Sequence, residues 1–338
     1  MLDVIFYEAF DEEADWLKRL LPAGVRADFT WKTVQEAAHA EPPARLVSLR
    51  TQSTLPAAWR GRVDAVLSRT TGYDHIARNL RALGAEVPCG YLPLYCSRAV
   101  AEQALTLWMA LLRKLPQQIA NFARFDRNGL TGGECAGRTL VVVGVGNIGS
   151  QVAGIGTALG MTALGVDLVR RHDFVRYATI EDALPQADIV VCCMNLTPEN
   201  RGYFDAARYA RMRAGAVFVN VARGELSPSS ALLAQIESGH LSAAALDVYD
   251  HESELAVALR AGRESADPEV RAALALARHP RVILTPHNAF NTVEAVERKA
   301  AQAVQQVQAF LRERAFVWPV PGGHAAAERG DSNGGERA

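Results

Sequence analysis

The chain has 338 residues, with 49% hydrophobic and 22% charged side chains, and 36 basic against 37 acidic residues give a formal net charge of -1. That length and usage suit two globular domains with full cores, and a balanced charge without a basic run lacks the electrostatic footprint of a nucleic-acid binder. No stretch reaches the roughly 18 to 20 apolar residues of a membrane span. The opening MLDVIFYEAFDEEADW also lacks the basic n-region of a signal peptide, so a cytoplasmic protein with no membrane partner is expected.

In chain order, VIFY (4–7) leads into the helical DEEADWLKRLL, RLVSL (45–49) into TQSTLPAAWRG, and AVLS (65–68) into DHIARNLRALG. Short extended runs followed by amphipathic helices predict βα units and a mostly parallel sheet. Ser97 to Leu115 reads as one long buried or interfacial helix, and its pattern stops at Pro116. From Arg138 a second α/β series begins, with TLVVVG, TALGVD, ADIVVCC, AVFVNVA, LSAAALDV and RVILTP as strands. One of its helices is expected to start with Ser227 as cap and Pro228 at the first position. Residues 292–313 predict a final helix, and the Gly/Ala/polar tail from about Pro321 reads as disordered. The five cysteines (Cys89, Cys96, Cys135, Cys192 and Cys193) are an odd count in no metal-binding spacing, so neither a disulfide framework nor a metal site is expected.

Gly144-Val145-Gly146-Asn147-Ile148-Gly149 follows the strand TLVVV and opens the helix IGSQVAGIGTALG, and Asp167 ends the next strand 18 residues after Gly149. A glycine motif in that strand–turn–helix context predicts a dinucleotide site. The glycines permit a tight turn and close backbone approach to a pyrophosphate, whose charge the helix N-terminus stabilises. Asp167 would accept hydrogen bonds from the adenosine ribose and repel a 2′-phosphate, favouring NAD, although Arg170 and Arg171 nearby are residues that an NADP site would use.

Ligands of an open α/β sheet gather at the carboxyl ends of its strands. There AVFVNVA ends at Arg223-Gly224, LSAAALDV at Asp247-Val248 with Glu252 just beyond, and RVILTP at His287. A guanidinium can bind a carboxylate and polarise a keto group, and a histidine can exchange the proton of the alcohol. A carboxylate beside the histidine would stabilise the imidazolium. Spacing alone does not choose among Asp250, Glu252 and Glu254, and His251 is a rival proton donor.

TTGYDHI (70–76), YCSRAVAEQA (95–104), GVGNIG with Asp167, NLTPENRGYF (195–204), NVARGEL (220–226), LDVYDHE (246–252) and TPHNAF (285–290) together resemble the D-isomer-specific 2-hydroxyacid dehydrogenase family. The resemblance implies that Arg223 binds and orients the substrate, Glu252 is the acid paired with the histidine, and His287 is the proton donor or acceptor. It also implies that Asp247 meets the nicotinamide carboxamide, that Asn147 and Ile148 lie at the pyrophosphate, and that Met194, Asn200 and Val221 line the dinucleotide. Tyr95 and Phe290 are similar to the D-lactate dehydrogenase branch. There the tyrosine and backbone amides near Thr71 and Gly72 face the substrate, and an aromatic at Phe290 would narrow the pocket to pyruvate-sized acids. Three features depart from the family pattern. Asn195 stands where a proline is usual, and His251 precedes the acid in place of proline. The segment 253–281 is long, with helical stretches 253–262 and 267–278 that could form a lid or a surface hairpin.

The expected fold is α/β with two Rossmann/flavodoxin-like parallel-sheet domains. A substrate-binding (catalytic) domain of residues 1–96 plus 291–320 is interrupted by an NAD-binding domain of residues 97–290, and 321–338 form the tail. The expected function is NAD-dependent reversible reduction of a small 2-keto acid to the D-2-hydroxy acid, and the resemblance implies a homodimer whose interface includes the helix from Ser97. Rival readings are a same-fold NAD dehydrogenase for phosphite or formate, and an NAD(H)-sensing binding protein that would not need Arg223, Glu252 and His287 together.

Overall fold

The structure is a computed structural model that describes residues 2–321; of the expected tail, all but Pro321 lies outside the described residues. The chain divides into two compact units, one from the described residues of Met1–Tyr95 and Thr292–Ala338, the other spanning Cys96–Asn291.

The first unit contains β1 (Leu2–Phe6), α1 (Asp11–Leu20), β2 (Ala27–Phe29), α2 (Val34–Ala37), β3 (Ala44–Leu49), β4 (Ala65–Ser68), α3 (Asp74–Leu83) and β5 (Cys89–Gly90). Its strands form one parallel sheet in the order β2-β1-β3-β4-β5, the flavodoxin-like order. Val4 to Phe6, Leu46 to Leu49 and all of β4 are buried, as expected of parallel strands covered on both faces. One core cluster gathers Ile5, Val47, Leu49, Trp59, Val66, Ile76 and Leu83.

The second unit contains α4 (Ser97–Leu112), α5 (Leu115–Phe122), β6 (Thr139–Val143), α6 (Asn147–Ala158), β7 (Thr162–Val166), β8 (Arg176–Tyr177), α7 (Ile180–Ala183), β9 (Ile189–Cys192), α8 (Ala206–Arg211), β10 (Val217–Asn220), α9 (Ser229–Glu237), β11 (Ala243–Leu246), α10 (Glu252–Ala261), α11 (Pro268–Ala277) and β12 (Val282–Leu284). The parallel order is β12-β11-β10-β9-β6-β7-β8. Strand order reverses between β6 and β9, which makes their carboxyl ends the switch point where a doubly wound sheet takes its ligand. The chain then returns to the first unit through α12 (Val293–Glu313).

Three local expectations need correction. TQSTLPAAWRG is not an α-helix; it holds only a 3-10 turn at Ala57–Trp59. Pro56 disfavours a helical Leu55, and the Leu55 and Thr54 amides donate to the Asn79 and Gln35 side chains instead. The long helix from Ser97 stops at Leu112, and α5 restarts at Leu115 with Pro116 in its first turn, where a missing N–H costs nothing. Lys114, at φ 53, makes the break. Helix α9 begins at Ser229, not after a Ser227 cap, because the Ser227 hydroxyl accepts from Asn220 Nδ2 at 2.7 Å.

Segment 253–281 proves to be α10 and α11 with their connections, and it ends just before β12. Val270, Ala273 and Leu276 of α11 lie in the core of the larger unit, and the Ser230 amide donates to Glu269. Helix α11 is therefore part of the crossover layer between β11 and β12, whereas α10 leaves Val257 and Leu259 exposed.

Candidate active site

At the switch point, Gly144 closes the turn after β6 with φ 91, and a Cβ there would lie 2.6 Å from the Met194 amide nitrogen at the end of β9. A Cβ on Gly149 would lie 2.0 Å from the Gly144 carbonyl oxygen, so these two glycines answer to contacts within the chain. Gly146 differs, since nothing lies within 4 Å of its Cβ direction. It is the N-cap of α6, and no side chain caps that helix. Open space over a glycine at an uncapped helix N-terminus is what close approach of a pyrophosphate requires. Asn147 and Ile148 begin the helix. Exposed Asp167, just past β7, accepts from the Val145 amide at 2.6 Å and the Val169 amide at 3.0 Å, which ties the glycine turn to the neighbouring strand end. These residues fit a dinucleotide.

Three neighbouring strands present the polar groups. Asn220 on β10 pairs with Leu246 on β11, and Leu246 with Leu284 on β12. Residues just past this level leave the sheet side by side, strands being roughly 4.8 Å apart. Val221 is buried and Arg223 half-buried, with Nη1 of Arg223 donating to the Ala222 carbonyl at 2.8 Å. Buried Asn220 holds that turn, accepting from the Ala222 amide and donating to the Arg223 carbonyl. Gly224 packs so tightly that a Cβ would lie 1.8 Å from the Tyr249 carbonyl carbon. The Arg223 turn therefore rests on the segment that leads to Glu252.

Glu252 opens α10 and faces His287, whose Nδ1 lies 2.8 and 2.9 Å from the two carboxylate oxygens. An acceptor of this kind selects the tautomer with hydrogen on Nδ1, which leaves Nε2 outside the pair with Glu252. His287 has φ 52, a left-handed conformation that side chains other than glycine rarely adopt. Asp247 sets it: the buried carboxylate accepts from Thr285 Oγ1 at 2.5 Å and from the Asn288 and Ala289 amides at 2.9 and 2.8 Å. Burial pushes the Asp247 carboxyl up, while these donors and His287 pull the other way. Tyr249 adds a clamp, its hydroxyl reaching the Thr285 carbonyl at 2.7 Å.

His251, the rival histidine, is exposed, with Nδ1 2.6 Å from Asp267 Oδ2. The hydrogen bond to Asp267 raises its basicity, partly offset by burial. Asp267 also caps α11, so this pair joins the starts of α10 and α11. Asn200 spends its amide on its own turn, accepting from the Thr197 amide and donating to the carbonyl of Asn195, the residue in place of the usual proline.

In the smaller unit, Thr71 Oγ1 donates to the Leu92 carbonyl and Thr70 Oγ1 to the Gly72 carbonyl. Buried Tyr95 accepts at its carbonyl from Arg298 Nε of α12. Phe290 is half-buried and follows Ala289, which Asp247 holds. Asn220, Gly224, Tyr249 and Thr285 went unrecognised as supports of the site. The glycine beside Arg223 was the one visible signal, because the others act through a fold that spacing does not reveal.

A sequence profile described as D-isomer specific 2-hydroxyacid dehydrogenase, NAD binding domain, matches residues 105–289. The chain belongs to the D-isomer-specific 2-hydroxyacid dehydrogenase family. It is 31% identical over 261 residues to 2-hydroxyacid dehydrogenase A of Aspergillus oryzae, covering 75% of this chain and 73% of that protein. It is 33% identical to the D-3-phosphoglycerate dehydrogenase of Bacillus subtilis over 63% of this chain, but over only 39% of that longer protein. The D-lactate dehydrogenase of Aquifex aeolicus, solved with NAD and lactic acid, superposes with a TM-score of 0.82 at 25% identity, covering 93% of this chain and 99% of that one. A 2-hydroxyacid dehydrogenase of this family is an NAD-dependent oxidoreductase, and its cofactor is NAD. Among the described residues, no helix is long and apolar enough to cross a membrane.

Proposed function

We propose that this dehydrogenase reduces a small 2-keto acid to the D-2-hydroxy acid, reversibly, in the cytoplasm. The observation that carries the reading is the His287–Glu252 pair at 2.8 Å, whose members follow the two strands next to the one that ends in the Arg223 turn. NADH, when bound, supplies the hydride to the keto carbon. Arg223 pairs with the substrate carboxylate and draws charge toward the keto oxygen. His287, as the imidazolium, gives its Nε2 proton to that oxygen as the C–H bond forms and is left neutral with its hydrogen on Nδ1, where Glu252 accepts it. In the oxidation direction the same nitrogen takes the hydroxyl proton back.

Gly144, Gly146, Asn147, Ile148, Gly149, Asp167, Met194, Asn200, Val221 and Asp247 form the cofactor side in this reading, and Thr71, Gly72, Tyr95 and Phe290 the substrate side. The larger unit is then the NAD-binding domain and the smaller one the substrate-binding domain. Phe290 favours short side chains. A homodimer is supported by the outer face of α5, where Leu115, Ile119 and Phe122 recur at helical spacing and are exposed at 45, 68 and 76%. Large apolar exposure of this kind marks an interaction surface.

The test follows NADH oxidation with pyruvate, 2-oxobutyrate, phenylpyruvate, glyoxylate, hydroxypyruvate and oxaloacetate, with His287→Ala as control. Turnover of a short 2-keto acid that disappears in the variant supports the reading. Silence across the panel with NADH still bound would overturn it.

A further inference from the structure

Away from the groups assigned to hydride and proton transfer, the carboxyl edge of the five-stranded sheet contains three ionisable side chains with no solvent exposure: Glu13 of α1, Arg69 just past β4 and Lys299 of α12. Arg69 is the hub. Its Nε donates to Glu13 Oε1 at 2.9 Å, one Nη to Ser48 Oγ at 2.9 Å and the other to the Tyr7 carbonyl at 2.6 Å, which binds together the ends of β1, β3 and β4. Lys299 Nζ lies 2.9 Å from Glu13 Oε2 and 4.7 Å from the centre of the Phe10 ring. On the opposite face, Ser68 Oγ lies 2.6 Å from Thr70 Oγ1 and 2.9 Å from His75 Nε2, and Thr70 Oγ1 in turn donates to the Gly72 carbonyl. Successive strand residues point to opposite faces. Arg69, the residue before the turn Thr70–Thr71–Gly72, is thus anchored on one face of the sheet, and Thr70 on the other.

Desolvation makes a buried ion set a poor source of stability, and apolar side chains of similar size often replace one without loss. Within the set, the cations Arg69 and Lys299 outnumber the anion Glu13, Arg50 adds a further cation at the Phe10 ring, and Arg69 is next to the turn in the chain; buried charge is little screened by salt. We propose that Glu13, Arg69 and Lys299 are positioning residues for the Thr70–Gly72 turn, and that the charge on Lys299 sets the affinity for the carboxylate of the 2-keto acid. This rests on the reading that the turn faces the substrate.

The ammonium of Lys299 is brought down to about 7, chiefly by burial; Glu13 opposes the change, and Arg50 and Arg69 add to it. Glu13 stays ionised down to about 2, since Arg69, Lys299 and Arg50 outweigh the effect of its burial. Charge therefore leaves Lys299 near neutral pH while the Glu13–Arg69 pair persists, and KM for the keto acid rises as pH passes through about 7.

The experiment compares wild type, Lys299→Met and Lys299→Arg between pH 6 and 8. It reads KM for the best keto acid, kcat, the NADH dissociation constant, and amide hydrogen exchange over residues 68–76 at each pH. Wild-type KM is expected to climb about three- to tenfold over this range. Lys299→Met should show the high value throughout, Lys299→Arg the low one, with kcat and NADH binding within about twofold of wild type. Exchange over 68–76 should be faster in Lys299→Met at pH 6 and equal to wild type at pH 8. Parallel KM curves in wild type and Lys299→Met, or unchanged exchange, would overturn the proposal. If no 2-keto acid is turned over by wild type, the substrate reading fails. The exchange measurement alone then judges the positioning set.

Discussion

The two sheets are built alike and treat their carboxyl edges in opposite ways. In the seven-stranded sheet the edge is kept open. Gly146 leaves vacant space above an uncapped helix N-terminus, and the pair His287–Glu252 is about one third exposed. In the five-stranded sheet the edge is filled by the chain's own charges. Glu8 accepts from the Arg50, Gln52 and Ser53 amides, occupying donors that could otherwise meet an anion. Glu13, Arg69 and Lys299 are sealed below the adjoining turn. In the proposed reading, one parallel architecture thus serves as a receptor for a charged cofactor in one case and as a support for a binding turn in the other. The difference lies in whether the chain supplies its own counter-charges.

That contrast can be broken by substitution. His287→Ala should lower kcat by about 10² to 10⁴-fold with little change in thermal midpoint, because an open-edge group contributes little to folding. Loss of stability together with activity would erase the distinction. Gly224→Ala should destabilise by about 3 kcal/mol or more, since its Cβ would meet backbone rather than a movable side chain; denaturant midpoints read this directly.

Glu13→Gln tests the sealed edge. It leaves two buried cations without their anion, at a cost of about 3 kcal/mol. The acid dependence has a definite sign: the Glu13 carboxyl falls from 4.5 to about 2 on folding. Its stabilisation of about 3 kcal/mol is complete above the unfolded value and is lost as pH falls toward 2. Acid unfolding followed by circular dichroism should therefore be shallower in Glu13→Gln. An unchanged profile would mean that Glu13 gains nothing from its partners. The smallest effect is expected from Asn200→Ala, which removes the hydrogen bonds closing the 195–200 turn. It should cost about 1 kcal/mol and weaken NADH binding only slightly, as titration of cofactor fluorescence would report.

The larger unit was the more legible in sequence because its signals are local. Six apolar runs match β6, β7, β9, β10, β11 and β12, and β6, β9, β10 and β11 are buried almost throughout, as strands covered on both faces must be continuously hydrophobic. The glycine turn announces itself because a tight turn and a close helix–strand approach leave no room for a Cβ. Arg223, Glu252 and His287 are candidates partly from their strand ends, and the choice of Glu252 over its acidic neighbours needs the family pattern. The structure brings Glu252 and His287 within hydrogen-bond distance across 35 residues of chain.

What sequence alone determined, then, is the α/β alternation, the glycine turn and the polar groups at three strand ends, each signal being written within a few residues of chain. Tertiary structure decided the rest. Edge strands β2, β5 and β8 have two or three residues each and no apolar run like that of β12 at the remaining edge; they exist because a neighbouring strand offers its hydrogen bonds. The helix expected after β3 is lost because Asn79 and Gln35 capture its amides. Glu13, Arg69 and Lys299 lie 56 and 230 residues apart along the chain. They could not be read as a set, because a charge in a sequence carries no mark of burial until the fold removes its water and supplies its partner.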